Sequence, residues 1–354
     1  MKLLTLLIAL FAFPLVTMAK PCDFDFEYIG PAVQTEGTHV WGSSPVIGPD
    51  GKVHLYVAQW PTDTQPNFNG WYKDCEIAHY VGDKPEGPFE FVRIAVPDQD
   101  GSFNSPHNPT IKKIDDKYVL CFIVNEDDKL KTQRIIMYVA DDLDDNWRPA
   151  AGAEADGTML RKSTVPTDWN YTAQLGVSNP SLVKNNGRYL LYHKSVVKKT
   201  PDAQRGTYVY GVAVSKQLEG PYENFEKSVT PLSMPLEDAY GFSYNDSVYL
   251  LSRDFGGSKG STGGGLLWKS HRGGYFNPKD VTRAYEDLAH YIGEDTLRDA
   301  NVYRGKNHGH LERAQILKID GKPAYLYLAT GVNVNDGYGS CSHVFRIIDK
   351  TQKQ

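Results

Sequence analysis

Five polar clusters are spread along the sequence, and a short apolar segment follows each of them. Their members are His39, Trp41, Ser43 and Ser44; His107 and Asn108; Ser178 and Asn179; Glu237 and Asp238; and His310, Glu312 and Arg313. Carboxylates that meet in one pocket could cleave a glycosidic bond, because one carboxylic acid can protonate the leaving oxygen while a second carboxylate activates water or attacks directly. Neighbouring groups must then keep one acid protonated near neutrality and the other ionised. Such chemistry requires a fold that brings the five clusters together.

A strand–turn–strand pattern that recurs five times indicates such a fold. The first strands begin at residue pairs whose second members are 59 to 75 residues apart: Ser44-Pro45, Asn108-Pro109, Asn179-Pro180, Asp238-Ala239 and Arg313-Ala314. Each strand reaches a polar turn that tolerates a left-handed backbone and precedes a more apolar strand: Asp50-Gly51, Asp115-Asp116, Asn186-Gly187, Asn245-Asp246 and Asp320-Gly321. The pattern predicts an all-β protein, a five-bladed β-propeller of four-stranded antiparallel blades, which occupies residues 20–354 as a single domain.

This architecture would place the five polar clusters in one channel. The first strand of each propeller blade lines the central channel, so residues that are far apart in sequence converge there. The competing all-β architecture is a sandwich of two sheets, which does not need a five-fold repeat. Helical periodicity is weak, and its best segment, residues 281–291, would lie in a loop before the last blade.

The sequence resembles the five-bladed propeller glycosidases, the group that contains glycoside hydrolase families 43, 117, 32 and 68. The resemblance spans nearly the whole of residues 20–354, is strongest for families 43 and 117, and rests on the blade openings, on residues 77–80 (Ile-Ala-His-Tyr) and on residues 87–89 (Gly-Pro-Phe). It implies hydrolysis by carboxylates on the inner strands, with a histidine as the acid in some members. The sequence departs from the family pattern at Ser44 and Asn108, which stand where relatives carry a catalytic and a supporting aspartate. Either the carboxylates have moved to other blades, or the protein no longer hydrolyses its ligand.

Three residues are the predicted catalytic groups: Asp238 and Glu312 as the carboxylate pair, and His310 as an assisting acid or clamp. The predicted sugar-binding residues are Trp41, Glu76, His107, Asn108, Asn179, Glu237, Asp254 and Arg313. Structural roles stay open for some of them, since Asp238 could cap a strand turn, Glu312 could pair with Arg313, and Asp254 could be a turn residue. The resemblance also implies an inverting, exo-acting enzyme, and a divalent ion such as calcium in the channel. We expect no required cofactor, because no ligand cluster in the sequence demands a metal.

The sequence therefore predicts a glycoside hydrolase that acts on an oligo- or polysaccharide, with two alternatives from other classes. A polysaccharide lyase would use a histidine or tyrosine base, and His107, His310 and Arg313 could supply that base and the charge that neutralises a uronate. A non-catalytic carbohydrate-binding propeller would explain why the first-blade aspartate is missing. Residues 256–260 (Gly-Gly-Ser-Lys-Gly) match Gly-x-Ser-x-Gly, but they lie in a Gly-rich stretch without the strand–helix context of a nucleophile elbow, and no His-Glu-x-x-His motif is present. A serine hydrolase or a zinc peptidase is therefore disfavoured.

The first residues are typical of an export signal. Lys2 supplies the positive charge, residues 3–16 form an apolar run, and small residues at Thr17 and Ala19 suit cleavage after Ala19. The run is shorter than the roughly 20 residues of a membrane span, and the residues before Cys22 are a poor lipoprotein signal. We therefore expect a secreted or periplasmic protein without a membrane anchor. The net charge of −5 and pI near 6.1 give no basic surface for nucleic acid, and no pattern indicates an oligomeric state.

Four cysteines remain in the expected mature chain: Cys22, Cys75, Cys121 and Cys341. Their spacing matches no zinc motif, and an even number of cysteines outside the cell favours disulfides. Of the pairings open to them, Cys22–Cys341 is the expected one, because a propeller usually brings its two chain ends together in one blade. Free buried thiols are the alternative.

Overall fold

The computed structural model describes residues 21–63, 68–99, 103–144, 146–198, 200, 203, 205–260, 262–304 and 309–351. The predicted signal peptide, residues 1–19, lies outside these ranges. In chain order the strands are β1 (Phe24–Val33), β2 (Thr38–Ile47), β3 (Val53–Pro61), β4 (Glu76–Gly82), β5 (Glu90–Val96), β6 (Asn104–Ile114), β7 (Lys117–Glu126), β8 (Lys129–Ala140), β9 (Arg148–Pro149), β10 (Thr158–Leu160), β11 (Ser178–Asn185), β12 (Arg188–Lys198), β13 (Gly206–Ser215), β14 (Glu223–Asn224), β15 (Glu237–Tyr244), β16 (Ser247–Arg253), β17 (Gly265–Ser270), β18 (Thr282–Arg283), β19 (Asn301–Val302), β20 (Glu312–Ile319), β21 (Lys322–Thr330), β22 (Val332–Asn333) and β23 (Cys341–Asp349). The helical segments are α1 (Leu288–Ile292), α2 (Glu294–Asp299) and the 3₁₀ turns Asn69–Tyr72 and Pro278–Asp280.

Five antiparallel sheets form blades I to V of a propeller. Blade I consists of β2 to β5, blade II of β6 to β10, blade III of β11 to β14, blade IV of β15 to β18, and blade V of β20, β21, β23 and β1. The innermost strands β2, β6, β11, β15 and β20 contact one another in a closed circle. The predicted five-bladed propeller is therefore confirmed, and the first strand of each repeat does line the channel.

The hydrophobic core lies between successive blades. One buried cluster joins each pair of neighbours, from blades I and II, through II and III, III and IV, and IV and V, back to V and I. Large aromatic side chains fill these layers, such as Tyr192 of blade III and Trp268 of blade IV in the same cluster. Each blade is thus apolar on both faces, which explains why the second strand of every repeat is almost continuously apolar.

The predicted turns between the first and second strands carry a left-handed backbone. The φ angle is +53° at Asp115, +48° at Asn186, +44° at Asn245, +51° at Asp320 and +78° at Gly51. Glycine adopts this conformation freely and asparagine and aspartate adopt it more readily than other residues, so these dipeptides mark the hairpins. The helical candidate at residues 281–291 contains β18 of blade IV and most of α1, and α1 lies before blade V as expected.

Every innermost strand contains a β-bulge at the same place, and this bulge corrects the alignment of the first repeat. The pairing shifts by one residue after Trp41, His107, Ser178, Glu237 and Glu312. The next residue in each blade has a positive φ and defines what we call the bulge ring: Gly42, Asn108, Asn179, Asp238 and Arg313. The residue of blade I that is equivalent to Asn108 is therefore Gly42 and not Ser44. Ser44 lies two residues further along β2, where its hydroxyl donates to Gln315 Oε1 at 2.9 Å and accepts from the amide of Ile111 at 2.9 Å.

The four cysteines are free, so the expected Cys22–Cys341 disulfide is wrong. The chain ends do meet in blade V, because β1 pairs with β23. However, Phe24 at the start of β1 lies opposite Asp349, whereas Cys341 lies at the other end of β23. At about 3.3 Å per residue, the length of β23 separates these ends by roughly 26 Å, whereas the Cα atoms of a disulfide lie within about 7 Å.

The helices of the described ranges include none that is long and apolar enough to cross a membrane.

Candidate functional site

A cavity of about 160 Å³ opens where the innermost strands begin. The predicted site residues that line it are Trp41, His107, Asn108, Asn179, Glu237, Asp238 and Glu312. Its other lining residues were missed by the sequence analysis: Ala58, Trp60, Phe68, Trp71, Leu130, Gln133, Leu175, Lys194, Tyr208 and Arg304. The five polar clusters thus converge as the propeller geometry requires, and additional groups from second strands and loops complete the wall.

A chain of hydrogen bonds within the bulge ring forms the floor of this cavity. Arg313 Nη2 donates to the carbonyl oxygen of Asn108 at 2.6 Å. Asn108 Nδ2 donates to Asn179 Oδ1 at 3.0 Å, and Asn179 Nδ2 donates to Asp238 Oδ1 at 2.5 Å. The left-handed bulge turns these side chains towards one another across the channel. The floor is therefore a polar network that ends on one carboxyl group, that of Asp238.

Asp238 and its neighbour Glu237 have pKa values that are driven apart. Burial raises the pKa of Asp238, and the charge of Glu237 raises it further, to about 6. Burial alone would also raise the pKa of Glu237, but the charges of Lys194, Arg253 and Arg304 outweigh it and lower that pKa to about 2. Lys194 Nζ lies 2.8 Å from Glu237 Oε1. Near pH 6 the site therefore holds one carboxyl that is partly protonated beside one that is ionised, the arrangement that acid–base chemistry needs.

Arg253 connects the second glutamate to this pair. Its Nη1 lies 2.6 Å from Glu312 Oε1 and 3.5 Å from Glu237 Oε2, and both Arg253 and Glu312 are buried. Glu312 Oε2 also lies 3.7 Å from Arg304 Nη2. The alternative in which Glu312 pairs with Arg313 is wrong, because Arg313 turns into the bulge ring instead.

His310 contacts this network from outside the cavity. Its Nδ1 accepts a hydrogen bond from Arg253 Nη2 at 2.9 Å and lies 3.8 Å from Glu312 Oε1. The expectation that His310 and Glu312 lie on the same side is therefore confirmed. However, His310 precedes β20 and does not line the cavity, so its contact with Arg253 suits a positioning role better than proton donation to a ligand.

His107 is a neutral hydrogen-bonding group in the cavity wall. Its Nδ1 lies 2.6 Å from the carbonyl oxygen of Ser105, so this nitrogen carries the proton and Nε2 is left as an acceptor. Burial lowers the pKa of His107 to about 3. Nε2 lies 3.4 Å from Gln133 Nε2, which also lines the cavity. Gln133 Nε2 is the donor in this contact, so a sugar hydroxyl group would have to replace it to donate to His107.

Aromatic rings form one wall of the cavity. Phe68 packs edge-on against Trp41 and Trp60, with ring centroids 5.2 and 5.0 Å apart, and Trp71 packs edge-on against His107 at 5.2 Å. Trp41 belongs to the first polar cluster, whereas Trp60 lies at the end of β3, and Phe68 and Trp71 lie in the segment after it. An aromatic wall opposite carboxylates offers an apolar face and polar groups to the same ligand.

Glu76 and Asp254 are predicted site residues that lie outside the cavity. The carboxylate of Glu76 accepts a hydrogen bond from Gln59 Nε2 at 3.0 Å, across the β3–β4 pair. Asp254 accepts hydrogen bonds from the backbone amides of Ser258 and Lys259 at 2.7 and 2.8 Å. Asp254 therefore has the turn role that the sequence left open, because its oxygens are used to hold the following loop.

Lys194 and Arg253 could have been found from the strand pairing. Lys194 lies opposite Ser178, and Arg253 lies opposite Glu237, each on the second strand of its blade. The signal that marks both residues is a charged side chain in an apolar second strand. Each lies directly across the hairpin from a polar cluster. Arg304 gives no such signal, because it lies in a loop between β19 and β20.

Arg313 occupies the centre of the channel in place of an ion. It is almost fully buried and packs against Gly42, which has no side chain to exclude it. A guanidinium group at this point repels a divalent cation. In the part of the chain that the structure describes, no three His, Cys, Asp or Glu side chains are grouped to hold a metal. The residues present therefore do not fit the channel ion that the family resemblance implies.

Replacing Gly42 by alanine is expected to destabilise the fold more than the same change at Gly321. A Cβ atom at Gly42 would lie 2.7 Å from Arg313 Cγ, whereas Gly321 has a positive φ but open space around it. We expect a loss of about 1 kcal/mol for Gly321→Ala, from the left-handed backbone alone. The added overpacking at Gly42 should bring its loss to about 2–4 kcal/mol. Urea unfolding of both variants measures the difference, and equal losses would show that Arg313 does not depend on the missing side chain.

Comparison with solved structures finds the same fold in glycoside hydrolases. Zg3597, a family 117 glycoside hydrolase of the marine bacterium Zobellia galactanivorans, is 13% identical over 94% of this chain and 92% of its own, with a TM-score of 0.65. CoXyl43, a family 43 β-xylosidase/α-arabinofuranosidase from a compost metagenome, solved with xylotriose in a calcium-free form, is 16% identical over 91% of this chain and 94% of its own, with a TM-score of 0.57. An exo-1,5-α-L-arabinanase from a bovine ruminal metagenomic library is 12% identical over 91% of this chain and 97% of its own, with a TM-score of 0.57.

These similarities confirm the predicted resemblance at the level of the fold. No protein-family profile and no curated protein sequence matches the chain. The shared feature is therefore the arrangement of the five blades, and the function has to be argued from the site.

Proposed function

We propose that this protein is an exported glycoside hydrolase that removes sugar units from the end of an oligo- or polysaccharide. The observation that carries the proposal is the carboxyl group of Asp238, whose pKa is raised to about 6 in a cavity that also holds Glu237 and Glu312. Such a carboxyl can protonate a leaving oxygen while an ionised carboxylate acts on the other side of the bond. The glycosidases with the same fold, and the sugar substrates named for some of them, support the proposal.

Each of the three carboxyl groups has a distinct proposed role. Asp238 is the general acid, and Glu312 is the carboxylate that activates water. These two residues come from blades IV and V, so they can reach a bound sugar from different sides. Glu237 precedes Asp238 in the same strand, and its charge adds to burial in raising the pKa of Asp238. His310 and Arg253 are positioning residues, because they hold Glu312 in place.

The shape of the cavity supports action at a chain end. The bulge ring closes the floor of the cavity, and the aromatic wall bounds one side. A ligand therefore enters from the end of the cavity that faces away from the floor. A closed pocket of about 160 Å³ suits a terminal sugar better than the middle of a chain. The proposal also includes inversion of the anomeric configuration, because the family resemblance implies it. NMR detection of the first anomer released tests it, since inversion requires carboxyl groups about 6.5–9.5 Å apart and retention about 5 Å.

The proposed function is tested by incubating the mature protein with a panel of plant and algal oligosaccharides. We expect reducing ends to appear and product masses to fall by one sugar unit at a time. If no substrate is cleaved while one of the sugars binds, the protein is a carbohydrate-binding propeller and the hydrolase proposal fails. Export is proposed from residues 1–19 alone, and N-terminal sequencing of the mature protein should find Lys20 first.

A polysaccharide lyase is the second candidate, and the neutral His107 favours it. The unprotonated Nε2 of His107 lies in the cavity wall and could take a proton from a uronate, whose charge Lys194 and Arg304 could neutralise. Lyase products contain a double bond that absorbs in the ultraviolet, whereas hydrolase products do not. Ultraviolet absorbance during the panel assay therefore separates the two candidates.

Replacing Glu237 by glutamine is expected to move the alkaline limb of the pH profile to lower pH. The limb of kcat/KM reports the loss of the proton from Asp238, and the charge of Glu237 is one cause of its raised pKa. Without that charge the proton is lost earlier, by about one pH unit. Glu76→Gln is the matched control, because Glu76 binds Gln59 away from the cavity. An unchanged limb in Glu237→Gln would contradict the role of Glu237.

A further inference from the structure

A second cavity, of about 710 Å³, lies at the opposite end of the channel. It is formed where the innermost strands end, and it shares no lining residue with the first cavity. Its walls include the apolar side chains of Ile47, Ile111, Leu182, Phe242 and Ile316. The polar bulge ring and the side chains below it separate the two cavities. A ligand in this second cavity would therefore not compete with a sugar in the first.

Two lysines in this cavity lie against the same inner strand, β15. Lys112 Nζ of blade II donates to the carbonyl oxygen of Gly241 at 2.5 Å, and Lys318 Nζ of blade V donates to the carbonyl oxygen of Ser243 at 2.5 Å. Carbonyl groups two residues apart on a strand point the same way and lie about 7 Å from each other. The two ammonium groups are therefore held at roughly this spacing.

Asp83, Asp115 and Asp320 also line this cavity, but among the described residues neither ammonium group is paired with a carboxylate. The groups that affect the pKa of Lys112 and Lys318 include no carboxylate. Burial lowers the pKa of Lys112, and the charge of Lys318 lowers it further, while burial lowers the pKa of Lys318 to about 8. An anion placed between the two lysines would compensate for both effects.

Both lysines keep hydrogen-bond donors for such an anion. A lysine has three N–H donors. Lys112 Nζ uses two of its donors, one on the carbonyl oxygen of Gly241 and one on Ser181 Oγ at 3.3 Å. Lys318 Nζ uses one donor, on the carbonyl oxygen of Ser243. A carboxylate between ammonium groups about 7 Å apart can accept one charge-assisted hydrogen bond from each at about 2.8 Å. The surrounding apolar walls then require that the rest of the ligand be apolar.

We infer that this second cavity binds a small organic acid with an apolar body, of the kind represented by a medium-chain fatty acid. Its carboxylate lies between Lys112 and Lys318, and its chain packs against the apolar ends of the inner strands. The inference rests on the cavity, the paired lysines and the lack of an acidic partner, and it does not depend on the proposed sugar cleavage.

Calorimetric titration of the mature protein with octanoate tests this inference, with octanamide as the neutral match. We expect saturable binding of octanoate with one molecule per chain, and binding of octanamide that is weaker by about tenfold or more, as expected when charge-assisted hydrogen bonds are lost. Lys318→Gln should weaken octanoate binding by a similar factor. Lys113→Gln is the control, because Lys113 is an exposed residue at the mouth of the same cavity, and it should change binding by less than about twofold.

Several outcomes overturn the inference. If octanoate shows no saturable binding at millimolar concentration, the cavity does not bind this class of ligand. If octanamide binds equally well, or Lys318→Gln binds as the wild type does, the lysines do not recognise a carboxylate. If inorganic phosphate displaces octanoate at equal concentration, the apolar walls contribute nothing and the site accepts any anion. Lys318 is partly exposed and its Nζ donates to a single backbone carbonyl, so Lys318→Gln is expected to fold, and circular dichroism checks this.

Discussion

Asp238→Asn is expected to lower kcat for the natural oligosaccharide by about 10²- to 10⁴-fold, the usual contribution of a general acid. Asparagine has nearly the same shape, and its oxygen can still accept the hydrogen bond from Asn179 Nδ2. The substitution therefore removes the proton and leaves the bulge ring in place. Sugar affinity, measured by calorimetry, should change little. Asp295→Asn is the matched control, because that carboxylate is 88% exposed on α2, away from the channel.

An activated substrate shows whether Asp238 acts as the acid. An aryl glycoside with a good leaving group, made from the sugar that the panel identifies, needs no proton on its leaving oxygen. We therefore expect Asp238→Asn to cleave this substrate nearly as fast as the wild type, while it remains slow on the natural one. If both substrates slow equally, Asp238 has another role. If neither slows, the carboxyl that carries the proposed function does not take part in the reaction.

Arg253→Met is expected to destabilise the fold by about 3–5 kcal/mol, the usual cost of leaving a buried charge without its partner. Arg253 is 7% exposed, and its Nη1 lies 2.6 Å from Glu312, which is 2% exposed. Glu237 loses a second contact but keeps Lys194 at 2.8 Å, whereas Glu312 keeps only the more distant Arg304 at 3.7 Å, so Glu312 is the carboxylate that loses most. Urea unfolding followed by circular dichroism measures the loss. Arg298→Met provides the control, because that arginine is 69% exposed.

The double variant Arg253→Met, Glu312→Gln separates the lost charge partner from the lost packing. A neutral glutamine needs no arginine, so the double variant should be more stable than Arg253→Met alone. If the second substitution recovers nothing, the destabilisation comes from the cavity left by the arginine side chain. A loss below about 1 kcal/mol in the single variant would mean that water reaches Glu312 and replaces the guanidinium group.

Most of the fold could be predicted because each blade repeats a local pattern. Turn dipeptides such as Asn186-Gly187 report a left-handed backbone that depends on those two residues alone, so they are visible in sequence. The apolar second strands follow from burial on both faces. The bulges were not visible, because one extra residue in a strand leaves no pattern of its own. For this reason the sequence pattern aligns the first repeat on Ser44-Pro45, although Gly42 is the residue that blade I contributes to the bulge ring.

The disulfide prediction failed for a related reason. The meeting of the chain ends in one blade follows from the repeat, but the register of β1 against β23 does not. In an antiparallel pair the two chain ends lie at the same end of the sheet, so Cys22 lies next to the end of β23 and Cys341 lies next to its start. The meeting of the chain ends and the separation of the two cysteines both follow from the pairing of β1 with β23. Only the meeting of the ends could be predicted from the sequence.

For the candidate site, the sequence determined which residues meet and the tertiary structure decided what they can do. The polar clusters at the blade openings had to converge, since the first strand of every propeller blade lines the channel. Whether a carboxyl there is protonated depends on burial and on charges from other strands. The pKa of Asp238 is raised because the group is buried beside Glu237, and the pKa of Glu237 is lowered because Lys194 and Arg253 reach it from second strands. Such electrostatic partners are set by distances in three dimensions, and the order of residues along the chain does not contain them.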